Sequence, residues 1–209
     1  MGGCLSEKLM PTTPQFPFSL ALLGQSLSYE QYSQQVEQQV AQGIAANAEM
    51  LEYTKLNVQR IQRWNKTFQL SPEMQQALQQ VKQPLHWVVL TEGWCGDAAQ
   101  NLPAIVKMAE FSPQIQLHLF LRDNHLPMID AYLTNGGRSI PKLICLNEDL
   151  QELGTWGPRP APVQTQVMEF MKQPNVDKMA FVEQIHKWYA TDKQQTLQQE
   201  FITLLKQWS

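Results

Sequence analysis

The chain has 209 residues, 43% of them hydrophobic and 17% charged, with a net charge of −3 at neutral pH. That is enough apolar side chain for a packed core, and it offers no basic field for a phosphate backbone, which argues against nucleic acid as a partner. No apolar run approaches the ~20 residues a membrane-spanning helix needs.

Residues 1–27, with PTTPQFPFSL, read as an extended arm. The arm opens MGGCLS, which fits the short myristoylation pattern through Gly2 and Ser6, with Cys4 as a second acyl position. A pattern that short arises easily by chance, so no membrane partner is expected. Residues 28–84 read as a helical extension. A first helix starts at Ser28, where Tyr29, Tyr32, Val36 and Val40 recur at helical spacing, and Gly43 interrupts it. A second covers about 44–66, with Leu51, Val58, Ile61 and Trp64 on one side. Ser71-Pro72-Glu73 opens a third with a cap residue, a first-turn proline and an early acid. The glutamine runs QQVEQQV and QQALQQV alternate with apolar residues, as solvated helix faces do.

After Pro84 the pattern changes, and 85–209 reads as an α/β domain with C-terminal helices. His86–Leu90 looks like a strand buried on both faces. A helix over Cys95–Phe111 follows, then a strand at Ile115–Leu121, a helix at about 125–134 and a strand at Lys142–Leu146. A turn at Asn147–Asp149 leads to a short strand ending near Trp156, and helices at about 160–172, 177–190 and 194–208 close the chain. The alternation implies a mixed central sheet with helices on both faces. Right-handed crossovers would join the first three strands, and the last could run antiparallel.

Chemistry concentrates in TEGWCGDAAQ (91–100). Cys95 falls at the first turn of a helix, where unpaired N–H groups and the helix dipole favour a thiolate and can bring its pKa toward ~7. Gly96 would let a partner chain approach the sulfur. Asp97 stabilises the helix start, yet its charge pushes the thiol the other way. A buried structural cysteine is the plainer alternative. A second stretch, GGRSIPKLICLN (136–147), puts Pro141 at the entry to a strand, where an ordinary trans proline is the usual finding.

Trp94-Cys95-Gly96 at a strand-to-helix junction, followed by Arg138-Ser139-Ile140-Pro141 and an apolar strand, resembles the thioredoxin superfamily. More narrowly, WCGDAAQ, RDN, TNGGRSIPKL and LGTWGPRPA are similar to a bacterial group of thioredoxin-like proteins defined by fold rather than by reaction. The resemblance implies a thioredoxin-like fold over about 85–190. It makes Cys95 the attacking thiol with Trp94 beside it, Pro141 a cis proline, and Ile140 the backbone partner of a bound chain. Two departures stand out. Ala98 replaces the resolving cysteine, and Val89 replaces the buried aspartate that serves it.

Cys145 lies in an apolar run and reads as core, and Cys4 lies on the arm; neither reads as a resolving thiol. Three scattered cysteines exclude a disulfide framework or zinc set and favour a reducing, cytoplasmic setting. Arg138 and Arg159 flank the expected cleft, where they could hold the carboxylates of a small thiol or simply be solvated or ion-paired. Trp156 could pack on the active-site loop or stack a ligand. His86, His118, His125 and His186 show no metal or triad spacing, and no cofactor is expected. Candidate catalytic residues are therefore Trp94, Cys95, Gly96 and Asp97, with Arg138, Ile140, Pro141 and Trp156 for substrate. The favoured reading is a monothiol oxidoreductase acting on a protein disulfide or a low-molecular-weight thiol adduct, with external thiol completing the cycle. A non-catalytic peptide-binding module and a scaffold using the extra helices are the alternatives.

Overall fold

The computed structural model describes residues 16–174 and 177–208; the MGGCLS pattern lies outside them. In chain order the elements are α1 (Leu20–Leu23), α2 (Tyr29–Gln42), α3 (Ala48–Thr67), α4 (Pro72–Gln79), β1 (Leu85–Thr91), α5 (Gly96–Phe111), β2 (Ile115–Leu121), α6 (Leu126–Asp130), β3 (Lys142–Asn147), β4 (Glu152–Trp156), α7 (Ala161–Phe170), α8 (Lys178–Asp192) and α9 (Gln195–Trp208).

Local chemistry sets the helix limits. Ser28 and Gln31 form a reciprocal capping box at the start of α2, and Gly43 ends it in the left-handed region at φ +67°. Asn47 accepts from the Met50 N–H and so starts α3 four residues later than its apolar spacing predicts. The buried stripe of α3 also differs from expectation. It runs Thr54, Asn57, Ile61 and Trp64, because the helix lies over the start of α5 as well as over apolar core.

The sheet order is β2-β1-β3-β4, the mixed α/β sheet the alternation of elements implies. Every residue of β1 is buried, as a central strand requires. β1 pairs parallel with β2 but antiparallel with β3, which corrects the expected crossover between β2 and β3. The reason is length. α6 has five residues and rises ~7.5 Å, too little to carry the chain back along a seven-residue strand of ~23 Å. β3 therefore starts at the end where β2 finished.

Alternate residues of β1 and β3 feed two cores. Trp87, Val89, Leu143 and Cys145 pack with α2, α3, α4, α5 and α9. Val88, Leu90, Ile144 and Leu146 pack with α6, Cys95 and the N-terminal segment. That segment is not simply extended: α1 forms one turn, and Leu27 bridges the edge strand through Leu119, with N···O distances of 2.8 and 3.2 Å. No helix among the described residues is long and apolar enough to cross a membrane.

Candidate functional site

β1 ends at Thr91, a short turn follows, and Cys95 becomes the N-cap of α5 with extended backbone (φ −81°, ψ 117°). Its sulfur accepts from the Ala98 N–H at 3.5 Å and donates its own proton to the Ile140 carbonyl at 3.2 Å. The Ile140–Pro141 bond is cis, so motif and strand entry meet across 45 residues. Behind them Gly157 sits at φ +113°, where any Cβ would overlap the Pro141 carbonyl. Only glycine fits there.

The sulfur is not activated as its position predicts. Cys95 is 9% exposed, and its thiol is pushed up to about 12. Burial contributes most and the charge of Asp97 adds to it, while the Ala98 and Asp97 N–H groups and the Arg159 guanidinium pull the other way. Asp97 is itself fully engaged. Arg159 donates to its Oδ2 from Nε at 2.9 Å and from Nη2 at 2.5 Å, and the Tyr189 hydroxyl donates to its Oδ1 at 2.8 Å. The carboxylate thus ties the start of α5 to α8 and to the loop before α7.

The remaining sequence candidates divide. Trp94 is half-buried beneath Arg122, whose guanidinium carbon lies 4.7 Å from the ring. Arg138 pairs with Asp130 at 2.6 and 2.8 Å on the exposed surface and does not line the site. Trp156 donates to Glu200 at 2.7 Å and packs on Phe201, in the core beyond β4 rather than against the Cys95 loop. Gly154, two residues before it, packs directly against the Trp208 indole.

Sequence reasoning missed the roof. Over Cys95 and Gly96 lies a cavity of about 490 Å³, walled by α3 through Met50, Tyr53, Asn57 and Arg60 and by α7 and α8 through Val167, Phe170, Phe181, Ile185 and His186. Asn57 donates to the Gly93 carbonyl at 2.9 Å and pins α3 to the active-site turn. The tautomer of His186 follows from its neighbours. Indole N–H can only donate, so Trp64 Nε1 gives its proton to Gln100 Oε1 at 2.6 Å. Gln100 Nε2 then donates to His186 Nδ1 at 3.1 Å, which leaves the ring proton on Nε2, the nitrogen nearer Gly96. The ring's pKa falls to about 4, through burial first and the nearby charge of Arg60 second. Also against expectation, His86 and His118 meet at 3.1 Å across neighbouring strands, a pairing that linear spacing hides.

A family model, Thioredoxin_9, described as Thioredoxin, matches residues 43–179, more than half of the chain. The chain belongs to this thioredoxin family. The match takes in α3, α4 and α7 as well as the sheet but stops at the start of α8, so two of the three helices that wall the cavity over Cys95 fall within the matched residues. Among solved structures, a protein of unknown function, PA1234, from Pseudomonas aeruginosa is similar at 17% identity, with a TM-score of 0.60 over 91% of this chain and 98% of that one. An HIV epitope-scaffold is similar at 16% identity and a TM-score of 0.59, over 90% of this chain and 98% of its own. At such identities the likeness concerns fold alone. A comparison with curated proteins gives no match.

Within this thioredoxin-family fold the two positions that depart from the motif lie in different cores. Ala98 is 1% exposed and packed in the core, and Val89 is fully buried on the opposite face of β1. Cys145 is also on that opposite face, beside Trp87, and burial raises its thiol strongly. It cannot resolve a disulfide formed at Cys95 without unfolding the sheet.

Proposed function

We propose that this thioredoxin-family protein is a thiol–disulfide exchange protein of a reducing, cytoplasmic setting that works through Cys95 alone. The observation that carries the reading is the sulfur of Cys95 at the start of α5, on the floor of a cavity and against the Ile140 carbonyl. In the forward step Cys95 loses its proton to solvent and attacks RS–SR′. The Cys95–S–S–R bond forms, the old S–S bond breaks, and R′S⁻ leaves. An external thiolate R″S⁻ then attacks the R-bearing sulfur of the mixed disulfide, the Cys95 S–S bond breaks, and RS–SR″ leaves as the Cys95 thiolate returns and regains a proton.

A single observation favours a second reading, a binding module without turnover. The resting thiol is held near 12 and no base among the described residues serves it, since Asp97 is bound by Arg159 and Tyr189 and His186 Nδ1 by Gln100. The two readings separate in a Cys4→Ser background treated with an aromatic disulfide. Exchange predicts one mixed disulfide, abolished by Cys95→Ser and released by a small thiol. Absence of any adduct in the folded protein leaves the binding reading standing.

A further inference from the structure

Arg138 and Arg159, the two cations with which sequence reasoning equipped the cleft, are both spent on carboxylates. Arg60 is not. It donates to the neutral amide oxygen of Asn57 at 2.8 Å, and no carboxylate among the described residues lies within ion-pairing distance. Its side chain is half-buried at the cavity wall, 3.8 Å from where a Cβ on Gly96 would stand. Burial, and then the neighbouring Arg63, lower its pKa, so its charge lacks compensation. Next to it, the Nε2–H of His186 has no acceptor among the described residues. Both side chains line a chamber whose remaining walls are largely apolar, Val167, Phe170, Phe181, Val182 and Ile185 on one side and Met50 on the other. An apolar chamber with a few convergent polar groups is the usual form of a small-ligand site.

We propose that the chamber over Cys95 binds a small amphipathic anion, with its carboxylate held by the Arg60 guanidinium and the His186 Nε2–H and its alkyl or aryl body between α3, α7 and α8. Among the described residues only Nη1 of the guanidinium is engaged, by Asn57, which leaves Nε and Nη2 for a two-point contact with a carboxylate. The neutral imidazole adds a third donor without adding charge. Asp97 does not oppose the anion, because Arg159 neutralises it. α3 and α8 cover the sulfur, so the site is shaped for a small molecule rather than an extended peptide. Binding does not require Cys95 to exchange disulfides, and it goes beyond the redox reading.

The test is isothermal titration of the full chain with decanoate and with decan-1-ol, each below its aggregation limit. Decanoate binds once per chain and decan-1-ol binds about tenfold or more weakly, the size expected for charge-assisted hydrogen bonds. Arg60→Met lowers decanoate to the level of decan-1-ol and leaves decan-1-ol unchanged. Cys95→Ser leaves decanoate binding intact, so a failure of disulfide exchange and a failure of this proposal remain separate results. Equal binding of the two probes, binding of neither, or indifference to Arg60→Met overturns it.

Discussion

Arg159 closes on Asp97 two residues past Cys95, the one cysteine among the described residues that line the cavity, and both side chains of the pair are 16% exposed. The pair sits where its two charges act on Cys95 in opposite directions. Asp97 raises the thiol and Arg159 lowers it, with Asp97 the stronger influence. Asp97→Asn removes the raising charge and leaves the lowering one. The thiol pKa then falls, and alkylation of Cys95 by iodoacetamide at pH 8 speeds up by about tenfold, the effect of one pKa unit. The same change strands a largely buried guanidinium and costs about 2–4 kcal/mol, read by urea unfolding. Faster alkylation together with lower stability is the signature; an unchanged rate rules out Asp97 as the suppressor.

A thiol held near 12 has its own pH signature. Alkylation needs the thiolate, so the rate at Cys95 keeps climbing through pH 10, where free cysteine with a pKa of ~8.5 has levelled off. In a Cys4→Ser background Cys145 contributes nothing, being fully buried with a still higher pKa. A plateau near pH 8 would mean that the sulfur meets solvent more freely than its packing allows.

Which parts were legible follows from how far each depends on neighbours in sequence. β1, α5 and β2 carry their signal in local periodicity, and Cys95 with Ile140 and Pro141 carries it in two short motifs, so both fold class and sulfur site could be read directly. Arg138 and Arg159 look alike in sequence, each in a Gly- and Pro-containing loop. They differ only in which carboxylate the fold brings against them, Asp130 on the surface and Asp97 at the site. Arg60, Gly96 and His186 meet because α3 and α8 converge on the start of α5. No residue near Arg60 or His186 in the chain announces that meeting. The buried Asn57 shows the same limit: a polar residue on an inner helix stripe becomes intelligible only once the Gly93 carbonyl it serves is in place.

Gly157 separates two costs that usually come together. Its φ of +113° and the Pro141 carbonyl pressed against it both exclude a side chain, whereas Gly136, at φ +77°, faces open space. Gly136→Ala therefore bears only the backbone term, about 1 kcal/mol. Gly157→Ala bears the clash as well and loses about 2–3 kcal/mol or more, and it displaces Pro141 from Cys95. Thermal unfolding of the two variants side by side measures the difference. Equal losses would show that Pro141 yields easily and that the wall behind the sulfur is soft.

The histidines set an acid limit. Ser26 gives its hydroxyl proton to the Leu23 carbonyl at 2.6 Å, so His118 Nδ1–H donates to Ser26 Oγ at 3.0 Å. His118 Nε2 then accepts from His86 Nδ1–H at 3.1 Å, and protonating it breaks that link. Burial first, and the charge of His86 second, bring His118 down to about 4, and His186 reaches a similar value by burial and Arg60. Unfolded, both rings titrate near 6.5. Between pH 6.5 and 4 the unfolded chain therefore binds protons that the folded one refuses, and stability falls as pH falls through that window. Near pH 5 unfolding takes up about two protons from these rings, against none at pH 8. His118→Gln removes one of them and flattens the acid slope, provided the Ser26 contact is kept. Urea titrations from pH 4 to 8 read both slopes, and identical slopes in the two proteins would place His118 in solvent rather than in the ladder joining the N-terminal segment to β1 and β2.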